Sequence, residues 1–160
     1  MTEHTHAFTY RLYASPAELH ADDRALLERA VAACQDSYSP YSDFKVGAAL
    51  RLANGKVFAG SNFENASYPL CLCAERIALG AAHAVHPDVP VLEMAVTAIS
   101  PSAPIDRPVP PCGACRQVLA EVERRHDQPI RLWLRGQTGP VAMLEATQLL
   151  LPFGFDGTFL

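Results

Sequence analysis

Residues 91–135, VLEMAVTAISPSAPIDRPVPPCGACRQVLAEVERRHDQPIRLWLR, decide the fold. The first ten are β-branched and apolar, the composition of a buried strand. A proline-rich loop follows, and then CGAC opens a helix with Cys115, Val118, Leu119 and Val122 on one face. PIRLWLRG returns to strand. Strand, helix, strand in that order predicts a parallel, right-handed crossover, the hand in which a twisted strand packs its helix back onto the sheet.

The neighbouring segments extend that sheet. FKVGAALRLANGKVFAGSNFEN (44–65) holds two strand-like runs around Asn54-Gly55, a pair that tolerates the positive φ of a tight hairpin. A helix over 73–85 carries Ala74, Ile77, Ala78, Ala81, Ala82 and Val85 on one side. Upstream, Ser15-Pro16 with Glu18 signals a capped helix start. That helix is expected to reach about Ser37, with Leu27, Ala30, Val31 and Cys34 forming its apolar stripe. PVAML (140–144) supplies a fifth strand. The expectation is one α/β domain over 1–160: a three-layer α/β/α arrangement around a mixed five-stranded sheet. Residues 1–15 read as a polar extension. LLLPFGFDGTFL, tipped with Phe159-Leu160, reads as an apolar tail that docks on a surface.

Composition narrows the function. With 49% apolar and 19% charged residues and a formal net charge of −4, the 160-residue chain has no electrostatic reason to bind nucleic acid or an anionic membrane. No apolar run approaches a bilayer span, and the opening lacks the basic end and apolar core of a secretion signal, so a cytoplasmic location is expected. Five cysteines, an odd number, argue against a disulfide scaffold and leave core packing or metal ligation. Cys34 falls to packing. His4-Thr5-His6 reads as frayed tail, and His20, His83, His86 and His126 as surface residues.

The chemistry gathers in LCLCAERIAL (70–79) and PCGAC (111–115). Cys73 opens one helix, and Cys112 and Cys115 open the next. Helix N-termini favour the thiolate a metal needs. Three sulfurs on two helix ends could meet on one tetrahedral zinc with the fourth position open. Glu75, two residues past Cys73, could hang beside the metal as a proton carrier without ligating it. Arg76 could offset the charge of three thiolates. Adding Cys71 gives the rival arrangement, four sulfurs around a closed structural zinc in a non-catalytic module.

CAER followed by PCGACRQV resembles the zinc-dependent cytidine deaminases, in the short-chain class that uses three cysteines. SPYSDFKVGAAL, GSNFENASYPL and LLPFGF are similar to further blocks of that family, so the resemblance runs over about 38–155. It implies zinc held by Cys73, Cys112 and Cys115. Glu75 would take a proton from the attacking water and pass it to pyrimidine N3, and a second to the departing ammonia. It implies that Asn62 and Glu64 hold the ribose hydroxyls, with the 3′-hydroxyl at Glu64. Phe44 would pack near the nucleoside, and the Ala74 N–H would meet the pyrimidine O2. Ala66 and Tyr68 would reach a neighbouring subunit's site, and Phe155 would cover the base of another. A homotetramer with shared sites follows, acting on cytidine and 2′-deoxycytidine in pyrimidine salvage. A deaminase of a modified cytosine nucleoside, of the blasticidin type, shares the same zinc motifs. The chain departs from the family at Cys71, where a small or apolar residue is usual, in its longer N-terminus and in the proline-heavy loop before Cys112.

Overall fold

A computed structural model describes residues 1–160. Its centre is one sheet built from β1 (Arg11–Tyr13), β2 (Lys45–Leu52), β3 (Val57–Ser61), β4 (Val91–Ile99), β5 (Arg131–Arg135) and β6 (Val141–Leu144). The spatial order is β1-β6-β5-β4-β2-β3. Only β4 and β5 run parallel, joined through α3 (Gly113–His126) as the crossover requires. β2 and β3 form the hairpin, with Gly55 at φ +79 in its turn.

The period of two along each strand sorts side chains into two cores. Ala48, Leu50, Met94, Val96, Leu132, Leu134, Ala142 and Leu144 face α2 (Ala74–Val85) and α3. Ala49, Ala95, Trp133, Val141 and Met143 face α1 (Ala21–Ala33), meeting Leu26, Leu27 and Ala30. The result is helix, sheet, helix. No helix is long and apolar enough to cross a membrane.

The sheet has six strands where five were expected. The additional one, β1, lies in the polar N-terminal stretch and pairs antiparallel with β6, Leu12 opposite Ala142. It is three residues long, and Leu12 is 58% exposed, so no alternation marks it in the sequence. Tertiary contact holds it: Tyr13 packs on Trp133 with ring centroids 6.0 Å apart.

The first helix also starts later than its capping signal. The Ser15 hydroxyl accepts from the Ala17 N–H and the Glu18 carboxylate from the Ala14 N–H, but they close only a short turn over Pro16–Glu18. Leu19 leaves the helical path at ψ 153 to bury its side chain beneath α1, which begins at Ala21. At the other end α1 stops at Ala33, and Cys34–Asp36 form a separate turn. Cys34 is buried, as expected of a packing residue.

Two buried carboxylates tie the layers together. Glu123 on α3 accepts from the N–H groups of Ile130, Thr147 and Gln148, at 2.7, 2.7 and 2.9 Å. Glu93 on β4 accepts from Trp133 Nε1 and Arg51 Nε, at 3.0 and 2.7 Å. Each acid is therefore satisfied by donors, as burial demands.

The placement of α2 depends on Gly60 in β3. A Cβ there would stand 2.6 Å from the Ala74 carbonyl oxygen and 2.7 Å from the Ala78 nitrogen, both backbone atoms that cannot swing aside. Gly60→Ala must push the start of α2 off the sheet, at a cost of about 1–3 kcal/mol. At about 2–4 °C per kcal/mol for a chain of this size, thermal unfolding of the variant is expected to show a Tm several degrees lower.

Candidate active site

The first turns of α2 and α3 lie side by side at one end of the sheet. Cys73 is the residue before α2, extended at φ −77 and ψ 151, and its sulfur makes no capping bond to the helix. Cys112 holds the same place before α3, at φ −66 and ψ 167. Cys115 sits one turn further and is buried. The Cys73 and Cys112 sulfurs are 3.7 Å apart, those of Cys112 and Cys115 3.6 Å, and all three lie within 4.8 Å of one another. Sulfurs about 2.3 Å from a single tetrahedral zinc stand about 3.8 Å apart. The donor set fits that ion. Cys71 is outside it, its sulfur accepting from the Asn65 N–H at 3.2 Å, so the four-sulfur arrangement does not form.

The electrostatics separate the thiols. Hydrogen bonds from the Cys115 thiol and then from Arg76 hold the Cys73 thiol down to about 5, against the cost of its burial. Cys115 is pushed the other way, keeping its proton for the Cys73 thiolate, with burial adding to the shift. Arg76 Nη2 lies 3.5 Å from the Cys73 sulfur and donates to the Cys71 carbonyl at 3.1 Å. Glu75 is 3% exposed. Burial raises its pKa, and its own backbone N–H only partly offsets that.

Beside the sulfurs opens a cleft of about 280 Å³ lined by Phe44, Asn62, Glu64, Cys73, Glu75 and Cys112, with Phe63, Leu72, Val109 and Pro110 among its apolar walls. It lies near the small end of the ~300–1,000 Å³ range of small-molecule sites. Asn62 braces this wall. Its Oδ1 accepts from the Val46 N–H at 2.7 Å and lies 2.6 Å from Ser37 Oγ, while Nδ2 donates to the Phe44 carbonyl at 2.9 Å. Glu64 Oε2 accepts from the backbone N–H groups of Tyr41 and Ser42, at 2.9 and 3.3 Å, and the Ser42 hydroxyl donates to Oε1. The Ser42 hydroxyl, and then these N–H groups, hold the Glu64 pKa below the usual carboxylate value.

The structure thus gathers Phe44, Asn62, Glu64, Cys73, Glu75, Cys112 and Cys115, with Arg76 against the sulfurs. Ala74 is buried in the first turn of α2, where helix geometry leaves a backbone N–H without an intrahelical partner. Ala66, Tyr68 and Phe155 are not on this chain's own cleft. Tyr68 is an exposed ring beside Tyr41. Phe155 stacks on Phe159 at 5.7 Å, and its carbonyl accepts from Gln117. The tail tip does not dock on its own chain, as Leu160 is 99% exposed.

Sequence reasoning missed three residues. Ser37 and Ser42 support Asn62 and Glu64 through turn geometry that no spacing announces. Arg116, next to Cys115, donates to the carbonyls of Pro111 and Leu150 at 2.9 and 3.1 Å. It pins the residue before Cys112 to the C-terminal segment.

Comparison with known proteins agrees with this geometry. The family model of the cytidine and deoxycytidylate deaminase zinc-binding region matches residues 20–126. A cytidine deaminase of Halalkalibacterium halodurans is 48% identical over 101 residues, 63% of this chain and 72% of that protein. The cytidine deaminase of Mycobacterium tuberculosis is 37% identical over 113 residues, 69% of this chain and 80% of its own length. Among solved structures, cytidine deaminase from Burkholderia pseudomallei superposes with a TM-score of 0.72 at 44% identity, over 82% of this chain and 97% of that one. Cytidine deaminase from Mycobacterium tuberculosis gives 0.64 at 30% identity, over 86% and 99%.

The depressed Cys73 pKa has a direct readout in metal-free protein. A thiol lowered to about 5 is ionised above that pH and protonated below it. The ultraviolet thiolate band of chelated protein should therefore show a step near pH 5, far below an ordinary cysteine. Arg76→Gln, which removes a donor and a positive charge, should move that step upward.

Proposed function

This chain belongs to the cytidine and deoxycytidylate deaminase family, and from that premise we infer that it hydrolyses cytidine and 2′-deoxycytidine to uridine and 2′-deoxyuridine with release of ammonia. One observation carries the reading. A carboxylate that is 3% exposed, Glu75, lines one cleft with Cys73 and Cys112 of a three-thiol cluster and with Asn62 and Glu64. The cleft pairs a proton carrier with sugar-binding groups.

Cys73, Cys112 and Cys115 would hold one zinc per chain, whose chemistry when bound is to bring the pKa of the attacking water toward neutrality. Glu75 takes a proton from that water and delivers it to N3 of the pyrimidine. A C4–O bond forms; Glu75 then carries the proton of the new C4 hydroxyl to the amine, and the C4–N bond breaks as ammonia leaves and the C4 carbonyl forms. Burial suits Glu75 to this task, because raising its pKa makes the carboxylate a better proton acceptor. Arg76 offsets the negative charge of the sulfurs. The free N–H of Ala74 donates to the pyrimidine O2.

Glu64, held ionised, accepts from the 3′-hydroxyl, and the second N–H of Asn62 donates to the sugar. Phe44 packs along the nucleoside. Ala66, Tyr68 and Phe155 serve neighbouring sites in a homotetramer. Tyr41, Tyr68, Leu70 and Leu72, each 44–68% exposed, give the chain an apolar surface for such packing. The whole chain is one catalytic domain, with 150–160 docking at a subunit interface, and it works in cytoplasmic pyrimidine salvage.

Mixing purified protein with cytidine, while counting zinc per chain, tests the function. Loss of the cytidine absorbance band with one zinc per chain is the expected result. Glu75→Gln should keep its zinc and lose activity by about 10²–10⁴-fold, the range of a general acid–base contribution. Light scattering should return a particle of four chains.

A further inference from the structure

We propose that Ser42 is a positioning residue: its hydroxyl fixes the Glu64 carboxylate so that a single acceptor site is left for the nucleoside, and thereby sets the discrimination for the 3′-hydroxyl. The proposal rests on the reading that Glu64 accepts from that hydroxyl.

The turn at Tyr41–Phe44 makes the arrangement possible. Asp43 adopts φ 52, in the left-handed region, and its N–H bonds to the Ser39 carbonyl at 3.0 Å. In this conformation both donors of Ser42 meet Glu64, the N–H at Oε2 and the hydroxyl at Oε1. Ser42 Oγ in turn accepts from the Phe44 N–H at 3.0 Å, so one hydroxyl joins the backbone of Phe44 to the carboxylate of Glu64.

Counting acceptor sites shows what is left. An ionised carboxylate offers about four lone-pair sites. Tyr41 N–H and Ser42 N–H occupy Oε2, and the Ser42 hydroxyl takes one site on Oε1. One site on Oε1 is unused. On Asn62 both acceptor sites of Oδ1 are engaged and one N–H is bound to Phe44, which leaves one N–H. A single hydroxyl that donates to Glu64 and accepts from Asn62 completes both groups. Without the Ser42 hydroxyl, Oε1 has no protein donor and is open to water, while Oε2 keeps its two backbone bonds. The carboxylate is then held at one end only.

The test compares the parent protein, Ser42→Ala and Ser42→Thr as zinc-loaded enzymes, on cytidine and on 3′-deoxycytidine. Ser42→Ala is expected to raise KM for cytidine about tenfold, the scale of one charge-assisted hydrogen bond, with kcat little changed. On 3′-deoxycytidine, which cannot use Glu64, the same substitution should cost almost nothing. Ser42→Thr, which keeps a hydroxyl, should restore the parent KM. Zinc content and Tm should match the parent in both variants. An equal penalty on both substrates, or no change in KM for cytidine, overturns the role of Ser42 while leaving the deaminase reading intact. A parent enzyme that treats the two substrates alike overturns the Glu64 assignment and this proposal with it. A parent that turns over neither substrate removes the function itself.

Discussion

Three thiols meet at one point only if two helices begin side by side, and here that depends on how closely α2 lies against the sheet. Gly60 sets the distance. Its missing side chain lets the first turn of α2 rest backbone to strand, and the residue just before that turn is Cys73. The partner turn is fixed differently. α3 is the crossover between the parallel strands β4 and β5, and its far end is bound through Glu123 to the start of β5 and to the C-terminal segment. Once both helices are placed, the sulfurs of Cys73, Cys112 and Cys115 have little freedom. Their approach to within 4.8 Å of one another follows from packing at positions outside the cluster.

The same geometry sets two carboxylates in opposite environments. Glu75 is carried into the interior on the first turn of α2, where loss of water raises its pKa. Glu64 sits at the rim of the cleft, where a hydroxyl and two backbone N–H groups hold it ionised. Two acids in one cleft with their pKa values pushed apart is the pattern that separates a proton carrier from a fixed acceptor. Cysteine shows a similar division. A neighbouring thiol, and then a nearby guanidinium, lower the Cys73 pKa, while Cys71, close in the chain, faces the backbone of Asn65 and stays out of the cluster.

The legible parts of the chain were those whose physical cause is local. The β2–β3 hairpin follows from Asn54-Gly55, α2 and α3 from their apolar period, and the crossover from the order of elements. The three clustered thiols and Glu75 are legible because cysteine spacing at a helix start limits where sulfurs point. β1 was missed because three mostly exposed residues carry no alternation, and only the open edge of β6 makes them a strand. The cap at Ser15 formed and still did not start α1, because burying Leu19 outweighed continuing the helix. Arg116 shows the same limit. Its place beside Cys115 points to the sulfurs, yet its donors reach the carbonyls of Pro111 and Leu150, the second of them 34 residues away in the chain.

By itself the sequence determined the layer architecture, the sheet's hairpin and crossover, and which residue types could carry a metal and a proton. Those depend on periodicity, turn chemistry and ligand valence, all of which act over a few residues. Tertiary structure alone decided the sixth strand, the exclusion of Cys71, the opposite pKa shifts of Glu64 and Glu75, and the bracing of Asn62 and Glu64 by Ser37 and Ser42. Each of these is a matter of which donors and how much water reach a group from elsewhere in the chain. That information exists only once the chain has closed on itself.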